Sequence, residues 1–565
     1  MAFVPIPAIP NINSQVLQQE LGAAMSQTGN RFNNVWYQFF NLQLTRLASI
    51  LATKPINVRD DAGARMNGTD DSGALQNAVN TAITNGGGII YIPNGKLSYK
   101  SINIPANAPP ILIAGQSTGT TVLELIGNLP SGTGMVTGLA PNISIADLTI
   151  QTTQTSPKLL QYNKDFSTSI NPNDPMAPSL TNNSSIWLKV GAHNFSCYRV
   201  LFKHAAGYSA LLDATQGVID SPVFQNCWFE DNRAALFGVS PTTLIYGSWA
   251  GGLFAKGDGR TATSGVVRHL LVQGCQWARN LGNCVWSHNY GLARLNEDFR
   301  IVSCGLEDSG LDSILMGAVS GGSVSQNVIR RSGYVSLTDG AVGVPRWGTA
   351  APVAIDSAGV VVGVNYQGNS ITSPNGGSID TDGHGLSALT GNLCRVPLPG
   401  EQEYVEDSIA TSGPNNNGSN SYGVNLSNSN NTPEGGSQIN IVANTFLNLR
   451  GGSVRLYAAR GCNVEANIIN APANSVNPPI AIGPIGTGPN QRAINNRVAH
   501  NQCSYSPGSG GTPLIFEDDT VASFASGEMN FCYGNNPIIG NGNAVEFQKS
   551  PHSSSTVYAP TVWFS

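Results

Sequence analysis

A four-residue unit of constant polarity recurs along the chain from residue 147. Its copies are Asp147–Ile150, Arg199–Phe202, Asn226–Phe229, Gly274–Trp277, Ser303–Leu306, Gln326–Ile329, Gly368–Ile371, Gly391–Cys394, Ala443–Phe446, Ala466–Ile469, His500–Cys503 and Met529–Cys532. The fourth position is apolar in every copy. The second is Cys at 227, 275 and 304, then Asn from 327 to 530. Successive second positions lie 23 residues apart three times and 27 to 52 residues apart otherwise. A repeat of this length predicts a stack of coils, one supersecondary unit per turn. The fourth position then points inward. The second forms a polar column whose amides can hydrogen-bond from rung to rung while satisfying the backbone at a bend.

Two stretches outside the repeat carry helical periodicity. In residues 11–54, Leu17, Leu21, Ala24 and Met25 precede a wide apolar stripe of Phe32, Val35, Trp36, Phe39, Phe40, Leu44, Leu47 and Leu51. The only charges there are Glu20, Arg31, Arg46 and Lys54. An apolar face of that size predicts a contact surface, so residues 1–54 read as an oligomerisation or docking segment. In the second stretch, Asp70, Asp71 and Ser72 offer N-cap oxygens to a short helix carrying Leu75, Ala78, Val79 and Ile83 on one side. Gly86–Gly88 ends it, Ile89–Pro93 is a buried strand, and Asn94-Gly95 is a turn.

The segment from Asn57 to Gly95 resembles the N-terminal motif of the pectate-lyase-like superfamily, which includes polygalacturonases and many bacteriophage tailspikes. It reads N-V-R-D-D-A-G-A-R-M-N-G-T-D-D-S-G-A-L-Q-N-A and then G-G-G-I-I-Y-I-P-N-G, with one extra residue before Gly63. The resemblance implies an all-β fold, a right-handed single-stranded parallel β-helix capped by a short helix, with Asp70 and Asp71 in capping roles. The expected organisation is a helical segment over 1–54, the opening and capping motif over 55–100, the β-helix over 101–535 and a C-terminal cap over 536–565.

Charged residues make up only 11% of the chain and the net charge is −5, which argues against a nucleic-acid partner. No run of 18 apolar residues exists, so no membrane insertion is expected. The first ten residues lack a basic region and contain three prolines, unlike an export signal. The nine cysteines include no metal-type CxxC pair and read as buried thiols. No cofactor-binding loop and no metal motif is present, so no cofactor is expected.

Two groups of residues are candidates for chemistry. Two places beyond the fourth position the repeat carries His204, Asp231, Arg279, Asp308 and Arg331, and one place before those Lys203, Glu230, Ala278, Glu307 and Arg330. This alternation fits a salt-bridge ladder, or a glycan-binding edge in which Glu230, Asp231, Arg279, Glu307, Asp308 and Arg331 contact sugar. Glu230 and Glu307 would stand two rungs apart, on the order of 10 Å. The second group is Asp380, Asp382 and His384, two carboxylates and an imidazole within five residues. It resembles fused pieces of the polygalacturonase signature, which would make these residues catalytic, although no Asp-Asp pair intervenes. Trp228, Trp249, Trp277, Trp286 and Trp347 could stack on sugars, with Trp277 better placed in the core and Trp286 open to either reading.

These features together predict a homotrimeric bacteriophage spike or fibre. It would attach to other virion proteins through residues 1–54 and bind a bacterial surface polysaccharide, with or without depolymerising it. Such a protein is made in the host cytoplasm and released by lysis. The alternatives are a free-standing polysaccharide lyase or glycoside hydrolase, and a non-enzymatic decoration of a virus particle.

Overall fold

The computed structural model describes residues 54–126, 133–152, 159–161, 184–205, 207–232, 235–239, 244–249, 252–280, 282–332, 353–398 (without 373 and 375), 401, 421–472, 475–505 (without 476 and 487), 515–517, 530–539, 547–549 and 557–559. The chain divides after Lys54. The expected helices of residues 11–54 lie outside the described residues.

From Pro55 onward the chain is a parallel β-helix. Among the described residues, forty-four strands pair into one continuous sheet, in parallel with strands of neighbouring coils. A representative turn runs through Ile355–Gln367 and Ser370–Thr372, and the next begins at Ile379–Asp382. Each coil therefore has three faces. Sheet 1 includes Val285–Asn289, the start of Ile314–Ser325, the start of Ile355–Gln367, Ile379–Asp382, Val424–Ser427 and Val454–Tyr457, stacked in register. Sheet 2 follows it in each coil, and sheet 3 carries the last residues of the repeated unit. The hand is right, as in nearly all crossovers between parallel strands. Three strands, Leu159–Gln161, Ala235–Val239 and Leu244–Trp249, form a separate small sheet.

The repeated unit is a corner. Its first residue has left-handed backbone in copy after copy: Asp147 (φ 57°), Arg199 (50°), Ser303 (54°), Gln326 (56°), Ala443 (55°), Ala466 (54°) and His500 (56°). None of the twelve first positions is β-branched, as this conformation requires. The second residue turns inward. The backbone N–H and Nδ2 of Asn392 both donate to Asn444 Oδ1 at 2.9 Å, and the same Nδ2 donates to the Tyr366 carbonyl. The pattern runs from Cys304 N–H through Asn327, Asn369, Asn392, Asn444, Asn467 and Asn501 to Asn535. Each amide satisfies a buried corner that would otherwise carry orphaned backbone groups. Fourth positions stack inside: the rings of Phe202 and Phe229 lie 4.8 Å apart, and those of Phe229 and Trp277 4.6 Å apart and nearly parallel.

The expected column needs one correction. Asn530 does not continue it. Asn530 Oδ1 accepts from Asn496, which in turn accepts from Cys462 N–H, so a second ladder occupies another corner. Cys532 accordingly packs opposite Val498 rather than over Cys503. All nine cysteines are buried and free.

At the opening, the helix spans Ser72–Thr84 and buries Leu75, Ala78, Val79 and Ala82. Asp70 Oδ1 accepts the Ser72 N–H at 3.0 Å, an N-terminal capping bond. Asp71 does something else: its carboxylate accepts the N–H groups of Arg65 and Met66, both at 2.9 Å, and ties down the preceding loop. Strand pairing already begins at Ile56, opposite Ile90. At the other end, Asn536–Ile539, Phe547–Lys549 and Val557–Ala559 pair with the preceding coil. In its described strands the segment expected as a cap thus adds another turn.

Candidate functional site

Alternation along sheet 1 sorts its residues into two sets. Ile379 and Thr381 face the core, while Asp380 and Asp382 face out and are half-buried. One coil earlier, Asp356 stands in register with Asp380, and Leu315 and Trp286 precede it in the same column. One coil later the column continues through Asn425 to Arg455. The outer face therefore presents an aromatic ring, an aliphatic side chain, two stacked carboxylates, an amide and a guanidinium. Adjacent members are separated by about 4.8 Å.

Four carboxylates gather here. Asp356 is held well above the usual carboxylate range by burial and then by the charges of Asp312, Asp380 and Asp382. Burial also raises Asp380, opposed by hydrogen bonds from Tyr422 Oη to Oδ2 (2.7 Å) and from Asn425 Nδ2 to Oδ1 (3.1 Å). Asp312, just before its strand, accepts the Val353 N–H at 2.7 Å. Burial and the charge of Asp380 push it up to about 6. Asp382 accepts the N–H of Ser429 at 2.8 Å and the hydroxyl of the same residue. Among the described residues, no Lys or Arg forms an ion pair with any of the four. Burial and mutual repulsion thus shift Asp312, Asp356 and Asp380 toward their protonated forms, the form a general acid needs.

His384 does not join them. It is fully buried, with Nδ1 2.9 Å from Ser357 Oγ and Nε2 3.0 Å from the Val364 carbonyl. Burial drops its pKa to about 4. Ser357 Oγ also lies 2.5 Å from Tyr366 Oη. Ser357 and Tyr366 belong to the strand that carries Asp356 outward, so His384, inward on the next coil, braces the site from beneath and cannot touch a ligand on the outer face. The cause is Gly383. Its φ of 77° breaks the alternation between Asp382 and His384, and a side chain there would collide with the Gly359 carbonyl.

The ladder residues lie on sheet 3 and its corner. Arg279 binds Asp231 through two bonds of 2.7 and 3.1 Å. Arg331 binds Asp308 at 2.6 and 3.0 Å and reaches Glu307 at 2.5 Å. Asp231, Arg279, Asp308 and Arg331 all have left-handed backbone, so they are corner residues pairing along the axis. Glu230 and Glu307 are two coils apart, with Ala278 between them. A cleft of about 230 Å³ opens beside Glu307, lined by Gln276, Gln326, Val328 and Arg330, with the Gln276 amide lying over Gly305. The structure thus brings Asp380 and Asp382 together and keeps the six ladder residues on another face.

Sequence reasoning missed Asp312, Asp356, Tyr422, Asn425 and Arg455. A signal for three of them existed. Ile355-Asp356-Ser357, Ile379-Asp380-Thr381, Val424-Asn425-Leu426 and Val454-Arg455-Leu456 share one polarity. Asp356 also precedes Asn369 by nearly the interval that separates Asp380 from Asn392. Of the tryptophans, Trp286 is half-buried in the site column and Trp277 is core. Trp347 lies outside the described residues.

No protein-family model matches the chain, and no curated protein does. Solved structures similar to it include the Azotobacter vinelandii mannuronan C-5 epimerase AlgE4 A-module, at 14% identity over 89% of this chain and 100% of that one, with a TM-score of 0.35. The Streptococcus pneumoniae surface protein and adhesin PfbA is 14% identical over 88% of this chain and all of its own, with a TM-score of 0.39. The Dettilon tailspike protein is 12% identical over 88% of this chain and 68% of its own, with a TM-score of 0.37. What is shared is the parallel β-helix. Likeness this distant carries no argument about activity.

Proposed function

We propose that the chain is a bacteriophage spike or fibre subunit that binds a bacterial surface polysaccharide along sheet 1 and cleaves it at Asp356, Asp380 and Asp382. The observation that supports this is the in-register pair Asp356 and Asp380, two carboxyls with raised proton affinity on adjacent coils, flanked by Trp286. A glycan laid along the column stacks a ring on Trp286. Asp356 donates a proton to the leaving glycosidic oxygen. Asp382 stands one coil and two residues away, about 8 Å between Cα atoms, on the same face. That spacing suits a carboxylate that activates water on the opposite side of the sugar, as in an inverting hydrolase. Tyr422 and Asn425 orient Asp380 between them. In the same reading the subunit is a homotrimer joined to other virion proteins through residues 1–54.

Asp356→Asn, Asp380→Asn and Asp382→Asn should each lower cleavage of a host surface polysaccharide by about 10²- to 10⁴-fold, read as new reducing ends. Because Asp356 acts in its protonated form, cleavage should fall as pH rises through its elevated pKa. Full activity in all three variants would rule this site out.

A further inference from the structure

Arg455 differs from the other arginines that line up along the coils. Arg199, Arg279, Arg331 and Arg497 each grip a neighbouring carboxylate through two nitrogens. Arg455 has no carboxylate partner among the described residues. Its Nε and Nη2 both donate to the Gly451 carbonyl, at 3.0 and 2.6 Å. The guanidinium lies over the Tyr422 ring at 4.6 Å, and Tyr422 in turn donates to Asp380. The head is therefore fixed in place on two sides, while Nη1 carries no hydrogen bond among the described residues. Beside it in the column, Asn425 Oδ1 is buried without a donor. A rigid guanidinium with no carboxylate partner among the described residues, two coils from Asp380 on the outer face, is a ready partner for a planar two-oxygen anion.

We infer that sheet 1 is built for an acidic glycan, with Arg455 pairing to a carboxylate on the sugar ring bound two coils beyond Asp380. This rests on the reading of sheet 1 as the glycan face. The four aspartates do not forbid an anionic chain. Asp312, Asp356 and Asp380 are all shifted toward their neutral forms, so the site carries less negative charge than its composition suggests. Two coils span about 10 Å, so the recognised sugar lies beyond the reacting one, and Arg455 selects substrate without entering the chemistry.

The test is binding by the full-length chain, measured by calorimetry. The probes are trimers of galacturonate, mannuronate and guluronate and the same trimers after reduction of their carboxyls. At least one uronate trimer should bind about 10- to 100-fold more tightly than its reduced form. Arg455→Gln should erase that preference and leave affinity for the reduced trimer unchanged, and Arg455→Lys should restore part of it. No preference for any uronate trimer, or a preference that survives in Arg455→Gln, overturns the inference. The cleavage assay on Asp356→Asn is separate. A chain that prefers uronates through Arg455 yet cleaves nothing keeps this inference and loses the depolymerase reading. A chain that cleaves only neutral glycans does the reverse.

Discussion

Asp380, Asp382 and His384 are even-numbered neighbours, and a regular strand would set all three on one face. Gly383 undoes that, and the result is two ionisable environments with opposite pH behaviour. Asp312, Asp356 and Asp380, raised by burial, keep protons in the folded chain that the unfolded chain has released. Their stabilisation is present at low pH and is lost as pH rises, for Asp312 between 3.8 and about 6. His384 is depressed, so the unfolded chain takes up a proton that the folded chain refuses. Stability is lost as pH falls from 6.5 toward about 4. Urea midpoints measured across pH 4–7 should separate the two. Asp312→Asn should flatten the loss on the rising side. His384→Ala should remove the acid-side loss while costing about 2–4 kcal/mol overall, because it leaves a cavity and strips Ser357 and the Val364 carbonyl of a partner. A His384→Ala chain as stable as the parent would mean that the inward triad contributes nothing.

The corner ladders explain how strands as short as three residues stay in register. A coil slipped by one residue would put an inward apolar side chain outside and an asparagine out of line with its neighbours. Each ladder amide makes several buried bonds, so deleting one strands partners on both sides. Asn392→Ala should cost about 2–4 kcal/mol, and the double variant Asn369→Ala/Asn392→Ala should cost less than the sum of the singles, since they share a bond. Strict additivity in chemical denaturation would show that the amides act independently. Upstream, Cys227, Cys275 and Cys304 fill the equivalent positions. There the Cys227 and Cys275 thiols lie 3.5 Å from backbone carbonyls, a weaker version of the same device.

For the molecule as a whole, coil stacking leaves three long faces with separate tasks. Among the described residues, sheet 1 gathers carboxyls without cationic partners and a guanidinium without an acidic one, while the corner of sheet 3 pairs its charges with one another. The charges at that corner already satisfy one another, whereas those of sheet 1 carry the glycan-face proposal made above. The spike reading also requires subunits to associate. The full chain should run at three times its 59.2 kDa mass in light scattering, and a monomer at micromolar concentration would remove the homotrimer from the proposal.

The architecture was legible because it is repetitive. A first residue without β-branching, from Cys227 onward a cysteine or asparagine, and an inward apolar side chain recur along the coils, and these are local demands of a corner. The opening helix and the buried thiols were legible for the same reason. The site was only half legible. Asp380 and Asp382 stand close in sequence, but Asp356, Tyr422 and Arg455 reach them through coil stacking. The loops between coils vary in length, so the distance along the chain hides which residues share a column. The positions of Asn530 and His384 were likewise decided in three dimensions, the first by a second corner with the same chemistry and the second by one glycine that turned an imidazole into the core.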